Sequence, residues 1–228
     1  MVDNWQLPLF WVFDAFIIFF FLLKTFPQQQ DLNTALVLSV GFLASGFALL
    51  WLRSLLKDRN LGMPFENNLD ENGFKLTLGV AAVILVLLAF NARTFFSVLY
   101  VPRGSVLSGI PSGISDAIYN FMLVAPSEEL LVLILMLGFV LLGIKKPSFG
   151  FMKDPYVAAL IARLGWGLLH TVLAYGNDLQ AVFIAVALGM AFTFVMFRTK
   201  SVLSAIILHG TWNAGTLLIP ILLGMGTQ

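Results

Sequence analysis

Two histidines and an adjacent pair of glutamates sit where an apolar chain has least reason to keep them. His170 closes Trp166-Gly-Leu-Leu-His170, and His209 opens His209-Gly-Thr-Trp-Asn213. Glu128 and Glu129 follow Pro126 and Ser127 in a third apolar stretch. An ionisable side chain within hydrocarbon costs roughly 2.5–3.5 kcal/mol on insertion scales. Acids and imidazoles gathered there suit proton transfer or metal binding. Taken singly they have plainer readings: a histidine bonding a neighbouring helix, or a Glu-Glu pair relaying protons or cations in a transporter.

The elements that must position these groups are helices in a membrane. Of 228 residues, 59% are hydrophobic and 11% charged, with mean hydropathy +0.93. That composition lies outside the soluble globular range. Seven segments are long enough to span about 30 Å as helix, which takes about 20 residues: 5–26, 34–56, 76–98, 115–143, 155–175, 179–197 and 201–223. They lack the sustained alternation of barrel strands, so the fold class is all-α, a polytopic membrane bundle of about seven transmembrane helices. The longest polar loop, 57–75, reads as the boundary between an accessory N-terminal part and the rest, and the division expected is accessory helices and loops at 1–114 and a core at 115–228. The first apolar run follows no basic n-region and is too long for a signal peptide, so it reads as a retained helix. No internal repeat accompanies it, whereas many transporters show one.

Charge orients the bundle. With seven spans, Arg53, Lys57, Arg59, Lys75, Lys145, Lys146, Lys153, Arg198 and Lys200 share the side of the N-terminus, and Lys24, Arg93 and Arg103 take the other. Nine against three makes the N-terminal side cytoplasmic. A net charge of +1 with no basic stripe excludes nucleic acid as a partner. The absence of cysteine excludes disulfides, thiolate metal sites and a cysteine nucleophile.

The polar groups can share a depth. Counted from the same face at about 1.5 Å per residue, Glu128 and His170 lie roughly 22 Å along their helices, and His209 and Asn213 about 12–18 Å. Pro126 removes a backbone donor and is expected to kink or interrupt its helix, with Ser127 capping the segment that follows. His209 and Asn213, four apart, share a helical face. A zinc site of two histidines and a carboxylate would use the same residues, although no His-Glu-x-x-His clamp is present. Asp14 and Asp116 find no role in this reading.

Together the motifs resemble the CPBP family, which comprises the CAAX-type prenyl-protein proteases and prokaryotic bacteriocin-processing relatives. The family pattern is Glu-Glu-x-x-x-Arg, Phe-x-x-x-His and His-x-x-x-Asn, in order, on three transmembrane helices. Here it reads Glu128-Glu129, Trp166 to His170 and His209 to Asn213, across 115–223. The chain departs from it twice, with Leu133 where the arginine falls and Trp166 for Phe. Arg163, seven residues before His170 on one helical face, is a candidate to face the acidic pair instead. The resemblance implies a metal-free glutamic endopeptidase within the membrane. Glu128, helped by His170, would activate water; His209 and Asn213 would hold the oxyanion; Glu129, Trp166 and Arg163 would support them. It implies no cofactor. The partners would be the bilayer and a membrane-anchored protein or peptide substrate, and the setting a multi-pass prokaryotic plasma-membrane protein. A proteolytically silent relative, serving as scaffold or immunity protein, is the alternative that Leu133 raises.

Overall fold

The computed structural model describes residues 69–91, 120–173 and 179–224, with a few positions just before 120. Every regular element among the described residues is helical: α1 (Glu71–Phe90), a π turn (Asn120–Val124), α2 (Ala125–Lys145), a 3₁₀ segment (Pro147–Lys153), α3 (Pro155–Leu173), α4 (Leu179–Thr199) and α5 (Val202–Leu222). The five α-helices overlap the last five expected segments, with α1 starting five residues before the expected 76 and α2 at Ala125. By length and composition three stretches suffice to cross a membrane: Glu71–Phe90, Val182–Thr199 and Val202–Leu222. The segments expected at 5–26 and 34–56, and both Asp14 and Asp116, lie outside the described residues.

Local chemistry sets the helix ends. Asp70 caps α1 by accepting from the Gly73 amide at 2.6 Å. Asp154 Oδ1 accepts from the Tyr156 and Val157 amides at 2.8 and 3.3 Å, with Pro155 at the first helical position, where its missing N–H costs nothing. Ser201 caps α5 through the Leu203 amide, after Lys200 turns the chain at φ 55°. The start of α2 differs from expectation. Ser127 does not cap a restarted helix; α2 begins at Ala125, with Pro126 in its first turn and no side-chain cap on Val124. The preceding π turn widens the backbone where proline cannot donate, so the chain runs on without a break.

Helices α2, α3, α4 and α5 pack in a closed ring, each against the next and α5 against α2, while α1 lies outside against α5. The buried positions of α1, namely Gly73, Thr77, Ala81, Ile84 and Leu88, recur every three or four residues and form one stripe. Its other faces expose Leu78, Val83, Leu87 and Phe90. Glycines permit the closest approaches: a Cβ on Gly210 would meet the Phe121 ring at 2.7 Å, and one on Gly215 would meet Leu88 at 2.7 Å. Polar side chains inside the ring are bonded. Thr199 and Ser204 share a 2.7 Å hydroxyl contact, and Ser204 donates to the Ser201 carbonyl.

Candidate active site

Four helices of the ring each send a polar group inward. Helix α2 brings Glu128 and Glu129 in its first turns, α3 brings Arg163, α4 brings Thr193, and α5 brings His209. Successive residues of a helix point about 100° apart, so the two glutamates occupy different surroundings. The Glu129 side chain is 1% exposed and that of Glu128 19%.

Glu129 is fully engaged. Arg163 donates from Nη1 to Oε1 at 2.9 Å and from Nη2 to Oε2 at 2.5 Å, a two-pronged bond between planar groups. His209 Nδ1 lies 2.8 Å from the same Oε1. Nitrogen Nε of Arg163 donates to Thr193 Oγ1 at 3.1 Å. A carboxylate and a guanidinium this far from water are tolerable only when so satisfied, and removing one partner of such a pair costs about 3–5 kcal/mol.

His209 is held on three sides. Its Nδ1 meets Glu129, its ring stacks on Phe192 with centroids 5.7 Å apart, and its Nε2 points at Glu128 Oε2, 3.4 Å away. That last separation is longer than a normal N–H···O bond. Asn213, half-buried, follows one turn along α5. On α3, Arg163, half-buried Trp166 and His170 fall at spacings of three and four, and so share one face. The side chain of His170 lies outside the described residues. Leu133, where the family pattern has arginine, is a buried core residue of α2, and the guanidinium on Glu129 arrives from α3 instead.

Sequence reasoning passed over Gly189, Phe192 and Thr193, all on α4, which carries no motif. The available signal was Gly189-x-x-x-Thr193, a small-residue pair at four-residue spacing. Among the described residues no group of three or more His, Asp or Glu side chains is placed to hold a metal ion.

A partly exposed carboxylate, Glu128, is faced by an imidazole that a buried ion pair holds in place, within a bundle of apolar helices. Residues 110–215, a little under half of the chain, match the family model Rce1-like: Type II CAAX prenyl endopeptidase Rce1-like. The match bears out the resemblance to the CPBP proteases and spans every residue of the cluster; that family is one of membrane proteases. No curated protein and no solved structure matched the chain.

Proposed function

We propose that the chain is an intramembrane endopeptidase that cuts membrane-anchored proteins or peptides with water activated by Glu128. The observation that carries this reading is the division of labour between the two glutamates. Glu129 is consumed by Arg163 and His209, whereas Glu128 stands half-buried beside an oriented imidazole. A base needs to be within reach of water and of the reacting carbonyl, and the partly exposed Glu128 suits that role better than the buried Glu129.

Glu128 takes a proton from water, and the resulting hydroxide oxygen bonds to the scissile carbonyl carbon. The carbonyl oxygen becomes an oxyanion, which accepts hydrogen bonds from His209 Nε2–H and the Asn213 amide. When the C–N bond breaks, Glu128 returns its proton to the departing amine. The long Nε2–Glu128 separation lets Nε2 exchange that carboxylate for the substrate oxygen. His170 assists Glu128 by analogy with the family, and Trp166, on the same face of α3, lines the approach. The reaction so written needs no cofactor. The setting is a multi-pass protein of a prokaryotic plasma membrane.

The test is cleavage by detergent-purified protein of a panel of membrane-anchored peptides, including prenylated ones with a CAAX ending. Wild type is compared with Glu128→Ala and His209→Ala, each with and without a chelator. Cleavage abolished by both substitutions and spared by the chelator is the expected result. Loss on chelation would move the chemistry to zinc, and no cleavage across the panel would favour a silent relative.

A further inference from the structure

We infer that α4, which contributes no motif residue, is the element that positions this site: Gly189 and Thr193 form a slot that aims the Arg163 guanidinium at Glu129. This rests on the proposed reading for its catalytic consequence, though not for its geometry. The Arg163 side chain crosses α4 where there is no Cβ. One added at Gly189 would lie 2.7 Å from Arg163 Cδ, 3.0 Å from Nε and 3.3 Å from Cζ. One turn on, Thr193 Oγ1 donates to the Gly189 carbonyl at 2.9 Å and accepts from Arg163 Nε at 3.1 Å. The hydroxyl proton is therefore committed to the backbone, which leaves a lone pair turned to the guanidinium. With Nε fixed by α4, the planar fork presents both Nη atoms to Glu129. Glu129 in turn holds His209 Nδ1. The chain of contacts thus runs from α4 through Arg163 and Glu129 to the imidazole that faces Glu128.

The same geometry gives Leu133 a consequence. It lies four residues after Glu129 on α2 and is buried, and an arginine there would reach Glu129 along one helix face. Guanidinium from α3 and guanidinium from position 133 are then interchangeable sources of one contact, and only the first needs the α4 slot. Gly189 and Thr193 are positioning residues that act through Arg163.

The experiment measures cleavage of a farnesylated CAAX peptide and thermal unfolding in detergent, on the full chain, in two backgrounds: wild type, and Leu133→Arg with Arg163→Leu. In wild type, Thr193→Val and Gly189→Ala lower kcat about tenfold or more with little change in KM, as for a misaimed group; Thr193→Ser keeps activity. Arg163→Leu alone loses both cleavage and thermal stability, and adding Leu133→Arg recovers both. In the doubly substituted background Thr193→Val has no further effect. An equal loss from Thr193→Val in both backgrounds would make its role merely structural and overturn the inference, as would failure of Leu133→Arg to recover either property. If wild type cleaves nothing, the proposed function fails, and the unfolding temperatures alone decide the slot by the same pattern of recovery and silence.

Discussion

Adjacent glutamates with opposite fates are the central fact at the scale of residues. One helical step turns Glu129 into the ring, where its oxygens meet Arg163 and His209, and leaves Glu128 at the rim. The frame around Glu129 is made of strong, desolvated contacts, while His209 Nε2 lies 3.4 Å from Glu128. Asn213 is half-buried one turn beyond His209, and the proposed mechanism has it donate to the same oxygen. Asn213→Ala is expected to lower kcat by about 10²–10³, the range for losing one oxyanion donor, with the unfolding temperature nearly unchanged. Steady-state kinetics beside a melting curve check this. The charged members of the site were legible in the sequence because ionisable groups stand out in apolar helices, and the seven-residue phase of Arg163 with His170 marked it as able to face the acids. Gly189 and Thr193 were not legible, since small residues in such helices read as ordinary packing. Depth counting puts Glu128 and His209 in a shared layer with several ångströms of slack, and their side-chain atoms lie 3.4 Å apart; tilt and side-chain reach take up the slack, and a residue count carries neither.

At the scale of elements, glycines decide how closely the site's supports can approach. The 3₁₀ segment doubles back along the end of α2, where a Cβ on Gly143 would meet the Lys153 backbone nitrogen at 2.7 Å and the Met152 carbonyl carbon at 2.9 Å. Gly210 instead faces the Phe121 ring, part of a side chain that can turn aside. Gly143→Ala, against backbone, is therefore expected to destabilise by about 1–3 kcal/mol, the usual cost of overpacking, and Gly210→Ala by less. Because Phe121 lies in the π turn before α2 and Gly210 adjoins His209, Gly210→Ala should cost more activity than stability, with the reverse for Gly143→Ala. Chemical denaturation and cleavage rates, measured on both variants, separate the two. Hydropathy located these helices well, since a long apolar run signals its own length. The π turn escaped it, because the sequence shows that Pro126 lacks a donor but not how the neighbouring backbone absorbs the loss.

At the scale of the whole molecule, charge and apolar surface are sorted along the bundle. Among the described residues, every Lys and Arg except Arg163 falls at one end: Lys75 early in α1, Lys145, Lys146 and Lys153 around the 3₁₀ segment, and Arg198 and Lys200 between α4 and α5. Tyr156 of α3 packs at a tilt against Phe197 of α4, with ring centroids 4.7 Å apart, and Gly73 of α1 adjoins Thr199, so these termini do meet at that end. Large exposed apolar side chains such as Leu168, Phe183 and Phe194 cover the outside between the ends, as lipid requires. The basic end is expected to be cytoplasmic. Because the chain has no cysteine, single replacements report cleanly. Ser148→Cys, at the basic end, should react with a membrane-impermeant maleimide only in inside-out vesicles, and Leu223→Cys, at the far end of α5, only in right-side-out ones. The reverse pattern would invert the topology.

The most direct test of the account sets Glu128→Gln beside Glu129→Gln, with kcat on a cleaved prenylated peptide and the unfolding temperature measured for each. Glu128→Gln should abolish turnover and disturb unfolding less than Glu129→Gln does, because it removes the proposed base from a partly exposed position, whereas Glu129 is buried against Arg163. Glu129→Gln should lose both, because it weakens the hold on Arg163 and His209. Turnover that survives Glu128→Gln, or unfolding equally disturbed by the two, would contradict the division of labour on which the mechanism stands.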